Sequence, residues 1–346
     1  MAKTNLCLAA IVIGSTLAAS NAQAATTWVC NVFVGPKHYI NKALRPWGRD
    51  VAKVTKGAIK VRFLPAKAAP APKQIDGIVG GTFDCAFIFH AFTAKRAIGQ
   101  MFGILPFISE GTSAQGSVAY WRVWKKYFTA KKEFEDDGIK ILSMFQFPGV
   151  HIFTARDKPI NSVADLKSQK VWALAGTSSR TMKSVGVNHV SGPASRMAEF
   201  TQTKVIQGIV GATRGGMVNF AGVQFPKHGT FTRRTIMMPS FAWMVSLKKW
   251  NALSPELQKA VLSVSGEKLA RKAGEVGDAF EAGAKKKLAK VGMKEITASA
   301  EFEKALTDAA KPQINAWIKR VKTLGVDGKA VLADYAREVQ ALKAKK

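Results

Sequence analysis

Catalytic signatures are missing from this chain. It holds no G-x-S-x-G, no P-loop, no H-E-x-x-H and no C-x-x-C pair, so the usual hydrolase, nucleotide, zinc-protease and dithiol chemistries lack their residues. Cysteine is scarce. Of three, Cys7 lies in an N-terminal apolar run, while Cys30 and Cys85 sit in TWVCNVFV and FDCAFIFH with no histidine or acid at ligand spacing. That gives no support to a metal site or a thiol catalyst. In an exported chain the two could pair, or stay as buried thiols.

Long apolar runs are also missing, apart from 6–17. One lysine precedes that run and Ala22-Gln23-Ala24 follows it, which reads as a secretory signal peptide over 1–24. Nothing later approaches the roughly 20 apolar residues of a membrane span, so the mature chain is expected to be soluble and exported to the periplasm. What remains exceeds one typical core, and two lobes are expected.

Acidic residues are few: 23, against 52 lysines and arginines, for a formal charge of +29. Such an excess can steer anionic ligands, adsorb to nucleic acid or an anionic envelope surface, or simply solvate the protein. The lysines are scattered or fall in helical runs such as Lys285-Lys286-Lys287. Without a compact arginine-aromatic block, this favours a solvated surface and no nucleic-acid partner.

The first half alternates strand and helix. Strands are predicted at 27–34, 58–64, 83–89 and 138–145, with helices at 38–56, 73–80 and 113–132, the grammar of a parallel α/β sheet. The second half repeats it, with strands at 150–155, 169–174 and 230–237 and helices near 178–185 and 197–209. A strand at 241–247 should return to the first lobe. Ser254-Pro255-Glu256 starts a helix predicted to run unbroken from 255 to about 291. Helices at 301–310, 312–324 and 328–342 end the chain.

Several landmarks follow one another in a specific order: GPKHYINKAL, FLPAKAAPAPKQIDGIVGGTFDCAFIFHAF, GILPF, VHIFTARDKPI, DLKSQKV and LKKWNALSPELQKAV. In that order, behind a signal peptide, the chain resembles the DctP-type solute receptors of TRAP transporters over essentially its whole mature length. The resemblance implies an α/β, two-lobed periplasmic binding protein fold (Venus-flytrap, type II-like) with a long helix bracing both lobes. Lobe I would hold 25–148 plus about 240–280, and lobe II 149–239 plus about 281–346. It makes the strands of Cys30 and Cys85 neighbours, so that pairing is feasible. The implied function is capture of a small organic solute, most simply an organic acid, by a monomer that delivers it to the membrane permease subunits, without catalysis, cofactor or metal.

The site follows by position. Lys37 and His38 end the first strand, and Phe89 and His90 end the third. His151 stands where many family members carry a first arginine, and Trp172, in KVWA, replaces the arginine that grips the ligand carboxylate. Arg214 falls where the family's GVVDG turn has its aspartate, and Asn219 and Phe220 fall in the segment that caps the ligand. An indole offers one N–H and a broad apolar face. Histidine lacks the bidentate fork of arginine. The site should therefore not suit C4-dicarboxylates; an aromatic or apolar monocarboxylate, or a small solute bound mainly by stacking and hydrogen bonds, would fit it. The alternatives are a receptor of the same fold that presents its ligand to a sensor, and a basic surface-binding protein. An enzyme built on His90 and His151 alone would lack an oriented carboxylate or nucleophile.

Overall fold

The computed structural model describes residues 25–192 and 194–344; the expected signal peptide lies outside them. In chain order the elements are β1 (Thr26–Asn31), α1 (Asn41–Val54), β2 (Ile59–Phe63), α2 (Gln74–Val79), β3 (Cys85–Phe89), α3 (Ser113–Phe128) and β4 (Ile139–Gln146). Then come β5 (His151–Thr154), α4 (Val163–Lys167), β6 (Val171–Leu174), α5 (Thr177–Ser184), β7 (His189–Gly192), α6 (Met197–Gln202), β8 (Gly208–Ala212), α7 (Arg214–Gly216), a π-helical turn (Met217–Ala221) and β9 (His228–Phe231). The remainder is β10 (Ser240–Ser246), α8 (Leu247–Asn251), α9 (Pro255–Ser263), α10 (Gly266–Lys290), β11 (Lys294–Thr297), α11 (Ala300–Val321) and α12 (Gly328–Ala344).

Two sheets form, ordered β2-β1-β3-β10-β4 and β11-β9-β5-β8-β6-β7. Side chains alternate across each, as strand geometry requires. In the first, Ala86, Ile88, Ala242 and Met244 face α3 and α12, while Trp28, Phe87, Phe145 and Trp243 face α1 and α10. In the second, Ile152, Val171, Ala173 and Val210 pack on α11, and Phe153, Trp172 and Ile209 pack on Met217 and Leu288. The returning strand β10 lies antiparallel between β3 and β4. Cys30 and Cys85 are register partners on β1 and β3, Cα to Cα 4.5 Å, and are joined by a disulfide.

Several expectations are corrected by tertiary packing. The helix expected at 255–291 breaks: α9 ends at Ser263, and α10 restarts with Gly266 at a left-handed φ of 52°. The break is pinned from the core, since Trp47 Nε1 donates to Ser265 Oγ at 3.0 Å and Ser143 Oγ donates to Gly266 O at 2.8 Å. Helices expected at 301–310 and 312–324 are one, α11, which passes through Pro312. Its apolar stripe packs on both sides of the proline, Phe302 and Leu306 on the second sheet and Trp317 and Val321 on the first lobe, and this burial outweighs the lost hydrogen bond. The helix expected to 209 stops at Gln202, because β8 is claimed as an inner strand between β5 and β6. The strand expected at 230–237 is β9, ending at Phe231, followed by an isolated bridge from Met237 to Val150. Finally, α12 was expected with the second lobe but lies on α3, burying Val331, Tyr335 and Val339 in the first.

Two connections, 147–150 and 232–239, run side by side between the sheets, with Val150 N donating to Met237 O at 2.9 Å. They join Gln146 to His151 and Phe231 to Ser240. These strand ends therefore face each other, and with them the ends of β1, β3, β6 and β8. α10 is the third link, touching α1 and α3 on one side and α7 on the other.

Candidate functional site

The facing strand ends are lined by rings on the first lobe. Phe241, second residue of β10, meets Phe147 tilted at 4.0 Å and stacks on Phe87 at 4.7 Å and on Phe89 at 4.8 Å between centroids. Phe92 meets Phe89 edge-on at 5.4 Å and is 46% exposed. At the other end His38 stacks on Tyr39 at 4.4 Å and on Phe147 at 5.6 Å. Tyr39 continues to Phe280 of α10 at 4.8 Å. A Cβ on Gly215 would lie 2.0 Å from the Phe280 ring, so Phe280 touches the second lobe. Aromatic pairs at such separations attract beyond their buried area.

The second lobe answers with a smaller cluster. The Arg214 guanidinium lies 3.8 Å from the Phe231 centroid, and His151 lies 4.5 Å from the same ring. Arg214 forks onto Glu295 at 2.6 and 2.9 Å, and Glu281 accepts the Arg214 and Gly215 backbone N–H groups at 3.0 and 2.7 Å. Its charge is therefore compensated. Burial pushes the Glu281 carboxyl up; it would also raise that of Glu295, but Arg214 outweighs it and the pKa is lowered.

The histidines here are held neutral. Desolvation lowers His38 to about 4 and His90 to about 3, and burial together with Arg214 lowers His151 to about 3. A neutral imidazole can donate one hydrogen bond but brings no charge to an anion.

His38, Phe89 and His151 thus belong to the two facing surfaces. Lys37 is exposed on the loop beyond β1, and Asn219 is exposed on the π-helical turn; Phe220 beside it is half-buried against the second lobe's core. His90 is fully buried beneath the ring ladder, its Nδ1 3.0 Å from Ser240 Oγ and 3.0 Å from Tyr120 Oη. Tyr120 donates its proton to Gln100 O at 2.6 Å, and His90 Nε2 has no partner among the described residues. Trp172 is fully buried among Phe153, Met197, Ile209 and Met217. Its Nε1, like Nδ1 of His151 and Oγ of Ser178, has no hydrogen-bond partner among the described residues. Buried donors without partners are rare, and each calls for an explanation.

Sequence reasoning missed Tyr39, Phe147, Phe231, Phe241 and Phe280, and did not foresee the pairing of Arg214. Phe147 and Phe241 carried a signal, since both flank the lobe crossings at Pro148 and Pro239. No group of three histidine, cysteine or acidic side chains among the described residues is placed to hold a metal.

The family described as bacterial extracellular solute-binding protein, family 7 (DctP), matches residues 30–320. A curated relative, the outer membrane transporter protein TsaT of Comamonas testosteroni, is 31% identical over 342 residues, 98% of either chain. A TRAP periplasmic solute-binding protein of Bordetella bronchiseptica with bound (R)- and (S)-mandelate superposes with a TM-score of 0.81 at 25% identity, covering 92% of this chain and 99% of that one. A TRAP periplasmic solute-binding protein of Desulfovibrio salexigens, an open complex, also gives 0.81 at 25% identity, over 93% and 98%.

Proposed function

Because the chain belongs to family 7 of the bacterial extracellular solute-binding proteins, the DctP-type receptors of TRAP transporters, we propose that it captures an aromatic or apolar monocarboxylate between its lobes. As an exported monomer it hands that solute to a TRAP membrane permease. The observation that carries this reading is the pairing of surfaces across the lobes. One is a ladder of rings running from His38 through Phe147 and Phe241 to Phe92. The other offers His151, set with Arg214 against the Phe231 ring, whose neutral Nδ1 lacks a partner among the described residues. Rings bury an aromatic body, and a few orienting polar groups fix the acid, as in most small-molecule pockets. With the Arg214 guanidinium already forked onto Glu295, a compact dianion would find too little uncompensated charge. The Bordetella relative's mandelate, an aromatic hydroxy acid, fits the same preference.

The test is thermal shift and calorimetry on the mature protein, purified free of carried-over solute, with mandelate and benzoate against succinate. A ligand at about 100 times its Kd adds about 2.7 kcal/mol to folded-state stability. The aromatic acids should raise the melting temperature and succinate should not. The reverse order would sink the aromatic reading while leaving a solute receptor.

A further inference from the structure

Far from the facing lobes, the first lobe carries a groove of about 830 Å³ between the end of α3, the start of β4 and the break between α9 and α10. Trp121 and Trp124, one helical turn apart on α3, stack at 5.6 Å with 26° between planes, and both are only half-buried. Leu262, 46% exposed, forms the opposite rim. The wall at Gly266 is fixed, because the Ser265 and Gly266 contacts to Trp47 and Ser143 hold the helix break, and the Trp121 ring lies against Gly266. The groove is thus preformed, and binding there needs little reordering.

Its charges are unbalanced. Arg122 is consumed by Glu267 and Glu338, Lys140 by Glu135 and Lys126 by Asp334. Glu133 accepts the backbone N–H groups of Ile98 and Gly99. Lys125, Lys132 and Lys268 line the groove with no acidic partner among the described residues. A second groove, near Arg233 and Lys304, makes a contrast: its cations pair locally, Arg233 with Glu303, Arg234 with Glu110, and Lys304 and Lys311 with Asp308.

We propose that the groove beside Trp121 and Trp124 docks an acidic segment of a partner protein bearing a leucine or aromatic side chain. The side chain would bury against the tryptophan pair, a residue type that dominates interface energetics. The acids would meet Lys125, Lys132 and Lys268, which fix orientation and speed encounter. A flat anionic surface could reach the lysines but could not fill a concave groove floored by two rings. This inference does not depend on what the facing lobes bind.

The probe is a fluorescently labelled peptide alternating glutamate and leucine around one tryptophan, titrated by anisotropy into the mature protein. The paired substitution Lys125→Glu with Lys132→Glu, both exposed, should weaken binding at least about tenfold, and Trp124→Ala by a similar factor. Lys286→Glu with Lys290→Glu makes the same charge change on the exposed face of α10 and should weaken it less than about twofold. Equal loss in both charge variants, or no peptide binding at all, overturns the proposal. So does flotation on phosphatidylglycerol vesicles that is lost in the groove variant while peptide binding is kept. Mandelate thermal shifts in the same variants separate any failure of the solute site from failure of the groove.

Discussion

Trp172 poses the sharpest question at the scale of single residues, because packing and recognition make different demands on it. Its ring is enclosed on all sides, so Trp172→Ala should cost about 3–5 kcal/mol of stability and would confound any binding assay. Trp172→Phe keeps most of the apolar volume and deletes only the unpartnered N–H. The apo protein should then keep its melting temperature within a few degrees, while affinity for mandelate falls by about 1.5–3 kcal/mol, the worth of a hydrogen bond to a charged group. Unchanged affinity in Trp172→Phe would remove this indole from the solute site. The histidines give a second test. His90 and His151 are neutral when folded, with pKa values near 3, and ordinary when unfolded, near 6.5. Between those values the unfolded chain binds more protons, so their contribution is fully present above about 6.5 and is lost as pH falls toward 3, at up to about 1.4 kcal/mol per pH unit for each. Chemical denaturation from pH 7 to 4 should show that decline. Solute affinity should stay flat from pH 8 to 5.5, whereas a cationic His151 gripping the carboxylate would strengthen binding as pH falls.

Among the elements, α10 and α3 decide how the lobes are braced. Gly274 sits where the helices cross, and a Cβ there would lie 2.3 Å from Ala114 Cα and 2.6 Å from Ser113 O. One turn on, Asp278 accepts the Ser113 and Ala114 backbone N–H groups at 2.7 and 3.0 Å, closing the N-terminus of α3 from the neighbouring helix. Alanine is the better helix former by about 1 kcal/mol, yet Gly274→Ala should destabilise the protein by about 1–3 kcal/mol, since the obstacle is backbone and cannot rotate away. Urea denaturation would read the sign: a gain in stability would mean that the helices separate freely at this crossing.

Two lobes joined by the paired connections, by α10 and by α11 can close only if these crossings bend together, and this is a property of the whole molecule. Gly149 is the tightest point of the paired connections, for a Cβ there would lie 2.1 Å from Thr235 Cγ2. Gly149→Val must push the two connections apart. Solute affinity should fall by about 5- to 150-fold, the usual range for coupling a remote change to a site, with the melting temperature of the apo protein much less affected. Calorimetry with mandelate checks this, and full affinity would show that closure does not load this contact.

The order of landmarks, the alternation of strand and helix and the scarcity of acids were legible in the sequence, because strand and helix periods and cap residues such as Ser254 are local properties. Local signals also placed Phe89 and His151 at strand ends. They could not place the break before Gly266, the passage of α11 through Pro312, or the docking of α12 on α3, since each is settled by a partner distant in the chain: Trp47, the first lobe's core and Tyr120's helix. The solute site was only half legible for the same reason. Which residues stand at the lobe-facing ends follows from sequence; that Phe147 meets Phe241, that Glu295 takes up the charge of Arg214, and that burial keeps three histidines neutral depends on the two sheets being brought face to face.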